Sequence, residues 1–143
     1  MKNVKLFAAF MLFISTSVFA QTTEADKIIG SYMTEANKGK VTITKKDNKY
    51  FGTLVWTDKP DALDKNNPDE KQRKNKIAGK VILKDFVYTG NGTWENGTVY
   101  DPESGKTYSG KITLNKNGSL NMRGYVGVSM FGKTTVWTRV NGK

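Results

Sequence analysis

The stretch from Lys40 to Trp56, KVTITKKDNKYFGTLVW, decides the fold class. Its first part alternates, with Val41 and Ile43 on one side and Thr42 and Thr44 on the other. That is the period-2 pattern of a half-buried strand. Its last part, Tyr50 to Trp56, is apolar on both faces and belongs deep in a sheet. Asp47-Asn48 between them tolerate the positive φ that a tight hairpin demands.

Outward from this hairpin the same grammar recurs. Lys80 to Leu83, Phe86 to Tyr88, Thr98 to Tyr100, Thr107 to Leu114, Ser119 to Val126 and Thr134 to Val140 read as strands. Asn91-Gly92, Asn96-Gly97 and Asn117-Gly118 read as turns between them. Each pair is followed by Thr or Ser and is formally a glycosylation acceptor; the turn reading is the favoured one, and it suffices if the source is bacterial. Strands at this spacing predict an all-β antiparallel up-and-down meander, closed into a barrel because closure removes exposed edges.

One connection breaks the pattern. Thr57 to Lys76 lacks strand character and is long for a compact domain. Asn67 as N-cap, Pro68 at the first helical position, and Asp69 and Glu70 in the first turn predict one short helix there. Arg73, Lys74 and Lys76 suit its C-terminal end, and the helix is expected to lie over one end of the barrel.

The N-terminus carries an address. Lys2 and Lys5 precede an apolar run from Leu6 to Ile14, and Ser15 to Ala20 ends in Val18-Phe19-Ala20. This is the three-part pattern of a signal peptide over residues 1–20, cleaved after Ala20. The run is too short for a membrane-spanning helix, the alternative reading. Gln21 rather than Cys follows, so no lipid attachment is expected. Residues 21–143 are then a single β-barrel domain, with Gln21 to about Asp26 a short flexible lead. No later segment is apolar for more than a few residues, so no transmembrane segment is expected in the mature chain.

Composition narrows the chemistry. The chain has no Cys and no His, which removes disulfides, thiolate and imidazole metal sites, and the commonest general base. A small secreted domain without disulfides points to a bacterial periplasmic or secreted protein. The net charge of +10 falls to +8 when Lys2 and Lys5 leave with the leader. Lys outnumbers Arg heavily and is interleaved with Asp and Glu, so nucleic-acid binding is not expected. Nothing in the sequence calls for a metal or a cofactor.

Several constellations remain. Tyr100-Asp101-Pro102-Glu103-Ser104-Gly105 reads as a turn: Asp101 caps it, Pro102 sets φ, and Gly105 supplies a left-handed residue. An acid–base reading of Asp101 and Glu103 is the weaker one, because carboxylates in a tight turn face water. Arg123 and Tyr125 share a strand face opposite Leu120 and Met122; they either face solvent or contact an anionic ligand. Trp56, Trp94 and Trp137 read first as core or rim aromatics.

Gly30-Ser31-Tyr32 near the start and Trp137-Thr138-Arg139 near the end resemble the calycin-type barrels, in which a Gly-x-Trp is covered by an Arg from the last strand. Here Tyr32 replaces the Trp and Arg139 would be the cover. Read together, several segments resemble a family of small exported bacterial proteins labelled a domain of unknown function. These are Gly30 to Met33, Asp64 to Arg73 with its Asn67-Pro68-Asp69, Gly97 to Tyr108, Arg123-Gly124-Tyr125 and the closing Trp137 to Arg139. The resemblance spans essentially the whole mature chain. It implies a lipocalin-like barrel and brings no activity or catalytic residue.

The expected function is therefore non-enzymatic: an envelope protein that binds a small apolar or amphipathic ligand, or an envelope component, within the barrel. Tyr50, Leu54, Trp56 and Trp94 are expected to line the pocket, with Lys106, Arg123 and Tyr125 as polar contacts. The alternative is a filled barrel that serves structure or protein interaction. An enzyme would need chemistry without His or Cys and comes third.

Overall fold

The computed structural model describes residues 23–141. The signal-peptide reading of 1–20 lies outside the described residues. Eight antiparallel strands close into an up-and-down barrel: β1 (Gly30–Met33), β2 (Gly39–Lys46), β3 (Lys49–Thr57), β4 (Val81–Gly90), β5 (Thr93–Asp101), β6 (Lys106–Leu114), β7 (Leu120–Tyr125) and β8 (Lys133–Arg139). The founding hairpin is as expected, with Asp47 and Asn48 both at positive φ. Asn91-Gly92 turns β4 into β5 in the same way.

The second Asn-Gly pair is different. Asn96-Gly97 lies inside β5, and the strand predicted to begin after it begins before it, at Thr93. Two steps along β6 oppose three along β5, from Trp94↔Ile112 to Gly97↔Gly110, so Asn96 at φ 64 is the extra residue of a bulge. The strands predicted at Lys80 to Leu83 and Phe86 to Tyr88 likewise merge into the single strand β4, which begins at Val81 and is bulged at Asp85 with φ 62. A left-handed residue bends a strand as readily as it reverses one, and only the partner strand decides which.

The bulges sharpen the twist where the barrel is filled. In this half the interior holds Ile43, Tyr50, Phe86, Trp94, Ile112 and Leu120, all buried. Gly97 and Gly110 make room for the Phe86 ring, because a Cβ at either would sit 2.4 Å from it. Trp94 stands edge-on to Tyr50, with ring centroids 6.3 Å apart.

From Thr23 onward, where the described residues begin, the expected flexible lead is instead a plug. Glu24–Ile28 forms a 3-10 turn that begins on Thr23 and buries Ile28 completely. The Trp94 indole donates to the Ala25 carbonyl at 3.2 Å, and the Tyr50 hydroxyl donates to Asp26 Oδ1 at 2.6 Å. These bonds order a segment whose own sequence carries no strand pattern. The Tyr50 bond, with Lys45 beside it, also holds the Asp26 carboxyl below its ordinary range.

The closing seam is short, with Tyr32↔Arg139 and Met33↔Thr138 as its paired residues. Arg139 secures it. Its guanidinium lies 4.9 Å from the Tyr32 ring centroid and donates to the carbonyls of Gly118, Ile29 and Lys27. Gly30 is needed beneath it, since a Cβ there would come within 2.8 Å of the guanidinium. The expected pairing of Gly30 and Tyr32 with Arg139 is thus present, and burial pushes the Tyr32 phenol up to about 12. We predict that Arg139→Lys costs about 1–3 kcal/mol in urea unfolding, because an ammonium lacks the fork that reaches three carbonyls. Unchanged stability would refute the clasp.

Candidate functional site

The other half of the barrel is open. A cavity of about 980 Å³ enters it between the β1–β2, β3–β4, β5–β6 and β7–β8 connections. Leu54, Ile82, Val99, Met122 and Trp137 form its apolar wall, and Tyr100, Tyr108 and Tyr125 add phenolic edges. Lys38, Lys59, Lys65 and Lys133 face Asp58, Asp101 and Glu103 around the mouth. The interior is therefore neither wholly filled nor wholly open: one half is core and the other is cavity.

The long β3–β4 connection forms one side of the mouth, and it is not helical over the expected length. Its helical content is one 3-10 turn, Glu70–Gln72, capped by Asp69 rather than Asn67. The chain doubles back so that Leu63 bridges Lys76, Asp64 N–H donates to the Asn75 carbonyl, and Ile77 N–H donates to that of Ala62. That return leaves no room for further helical turns. The Asn67 side chain ties this turn together instead, its Oδ1 accepting from Asp69 N–H while its amide donates to Asp64 Oδ2 at 2.7 Å. Arg73 secures the bend by donating to the Asn67 backbone carbonyl.

Asp64 locks this flap to the barrel. Its side chain is fully buried and accepts from the Tyr100 hydroxyl at 2.5 Å and from Asn67, while Lys80 Nζ stands 3.0 Å away. The Lys80 ammonium also sits 5.6 Å from the Tyr100 ring centroid. Burial pushes the Asp64 carboxyl up, but the bonds from Asn67, Tyr100 and Lys80 outweigh it and hold it below the ordinary value. Burial and the adjacent Asp64 charge push the Tyr100 phenol above its usual range.

The β5–β6 turn completes the lock. Asp101 accepts from Glu103 N–H and Ser104 O–H, which is the capping role expected of it. Asn66 donates to the Glu103 carbonyl at 2.7 Å. A Cβ on Gly105, which has φ 71, would strike the Asn66 carbonyl oxygen at 1.8 Å. Two sequence motifs 33 residues apart, Asn67-Pro68-Asp69 and Tyr100-Asp101-Pro102, are thus one structural unit at the cavity mouth.

The predicted pocket residues divide. Leu54 and Tyr125 line the cavity. Tyr50 and Trp94 lie in the filled half beneath the plug, where β3 and β5 run past the end of the open space. Trp56 is 43% exposed beyond a bulge between Lys40 and Val41 that turns it outward. Lys106 is exposed at the start of β6. Arg123 faces outward and binds the β7–β8 loop. Sequence reasoning missed Ile82, Val99 and Tyr108 as wall residues, because alternation marks the inward face of a strand but not which end of it is open.

No helix among the described residues is long and apolar enough to cross a membrane. No curated protein matches the chain significantly. Among solved structures, protein HP1028 from the human pathogen Helicobacter pylori, described as belonging to the lipocalin family, matches with a TM-score of 0.73. It is 27% identical, and the match covers 80% of this chain and 83% of that one. The model of a family described as uncharacterized proteins conserved in bacteria, DUF2147, matches residues 30–139, from the glycine that opens β1 to the arginine that covers it. With the whole barrel inside that span, the chain belongs to the DUF2147 family and has a lipocalin-like fold.

Proposed function

We propose that this protein is exported to the bacterial envelope and binds a small amphipathic molecule in the open half of its barrel. The leader pattern of residues 1–20 supports the compartment. The cavity carries the binding reading: its volume of about 980 Å³ suits a ligand, its wall is apolar, and its polar groups gather at the mouth. An apolar body would lie against Leu54, Val99, Met122 and Trp137, with a polar end beside Tyr100, Tyr125 and the mouth lysines. Asp64 with Lys80 and Tyr100, and Asp26 with Tyr50 and Lys45, bond among themselves in holding the flap and the plug, which favours binding over catalysis.

Titration with a fluorescent polyene fatty acid tests this reading. Saturable one-to-one binding with quenching of Trp137 is the expected result. Met122→Trp, which fills the cavity from its wall, is expected to weaken binding at least about tenfold. Trp56→Phe, outside the cavity, leaves it unchanged. No saturable binding, or equal loss in both variants, overturns the proposal.

A further inference from the structure

The loop between β7 and β8, Val126 to Gly132, exposes Val126 at 74%, Val128 at 54%, Met130 at 74% and Phe131 at 78%. Single exposed apolar residues are ordinary, but four in one loop mark an interaction surface. The loop is held in shape from below. Arg123 donates to the carbonyls of Ser129 and Met130 and to Thr134 Oγ1. Two polar carbonyls of the tip are thereby bonded before it meets any apolar phase.

The strands on either side of the loop carry charge of one sign, although Asp58, Asp101 and Glu103 of other connections share the cavity mouth. No acidic residue follows Glu103 in the sequence, and Lys106, Lys111, Arg123, Lys133 and Arg139 lie on β6, β7 and β8. Lys133 begins β8 at the foot of the loop, and Arg123 pairs with Lys111 across β6 and β7. Under Met130 a cleft of about 290 Å³ is lined by Lys111, Thr113, Asn121, Arg123 and Thr134, all donors suited to an anionic headgroup. The Lys111 ammonium also stands 3.7 Å from Glu95.

We propose that this loop docks the barrel on an anionic lipid bilayer, with Met130 and Phe131 in the acyl boundary and Lys111, Arg123 and Lys133 at the phosphates. One loop tip is small beside the roughly 800 Å² per partner that a stable protein interface buries. A bilayer asks only for a few apolar side chains beside basic ones. Val126 and Phe131 also line the cavity, so docking would set its mouth against the acyl layer. This goes beyond the binding reading, because docking needs no ligand in the cavity.

Flotation with vesicles of phosphatidylcholine alone, or with about one-third phosphatidylglycerol, tests it. The protein is expected to float with the anionic vesicles and to be released by salt. Met130→Ser with Phe131→Ser is expected to weaken binding at least about tenfold without changing thermal unfolding, since both residues are about three-quarters exposed. Lys133→Glu should weaken it on anionic vesicles. No binding to anionic vesicles, or binding indifferent to the double variant, overturns the proposal. So does a concentration-dependent dimer in sedimentation that the double variant abolishes, since the loop would then serve a second copy. A protein that floats but takes no fatty acid would refute the cavity reading and leave this one standing.

Discussion

Asp64→Ala is expected to destabilise the protein by about 3–5 kcal/mol in urea unfolding, the range for removing one partner of a buried ion pair. The carboxylate is fully buried and Lys80 is 16% exposed, so solvent cannot replace the lost charge. Tyr100 and Asn67 lose their acceptor at the same time. The double variant Asp64→Leu with Lys80→Met should lose less than Asp64→Ala alone, because it leaves no uncompensated ammonium. A cost below about 1 kcal/mol for Asp64→Ala would show that the flap is held by other contacts.

The same bonds set an acid limb. The folded carboxyls of Asp64 and Asp26 titrate below their ordinary value of 3.8. Above that value both are ionised in the folded and unfolded chains, and their contribution is complete. On acidification the unfolded chain takes up its protons first, so stability is lost as the pH falls from about 4 through the lower folded values. Asp64→Asn is expected to flatten this limb. A limb as steep as in the parent protein would remove Asp64 as its source.

Phe86→Ala is expected to cost about 3–5 kcal/mol, since the ring is 1% exposed in the filled half and nothing nearby can collapse into its place. Gly110→Ala attacks the same contact from the other side. Its new Cβ would meet Phe86 Cζ at 2.4 Å, at an overpacking cost of about 1–3 kcal/mol. Combining Gly110→Ala with Phe86→Leu should recover part of that loss, because the smaller side chain vacates the space the methyl needs. Strict additivity in this cycle would mean that the glycine is required for some other reason.

Much of the barrel was legible because strand alternation and turn chemistry are local. Val41 and Ile43 are inward and buried, and Asp47-Asn48 and Asn91-Gly92 turn as their residue types demand. Asn96-Gly97 was misread for an equally local reason: the same φ values serve a hairpin and a bulge, and β6 settles the matter from outside the window. The helix at Asn67 failed because the chain doubles back to pair Leu63 with Lys76, leaving room for one 3-10 turn. That return is held at Asp64, and Asp64 is where it is because of Tyr100 and Lys80.

The site was less legible still. Tyr50, Trp56 and Trp94 were expected to line the pocket, and all three are absent from it for geometrical reasons. Trp94 and Tyr50 lie too near the plugged end, and Trp56 is turned outward by a bulge. Arg123 proved to be a support for a loop, a role visible only when Ser129 and Met130 are folded back over it.

By itself, the sequence determined the strand count's grammar, the hairpin of Lys40 to Trp56, and the pairing of Gly30, Tyr32 and Arg139 at the seam. These follow from periods and turn residues within reach of one another along the chain, or from a short motif at each end. Only the tertiary structure decided that Ile28, Phe86 and Trp94 fill one half of the barrel while the half beside Met122 and Trp137 stays open. Filling depends on which side chains from different strands meet at the same height, and height in a barrel is set by register and bulges rather than by any single strand's pattern.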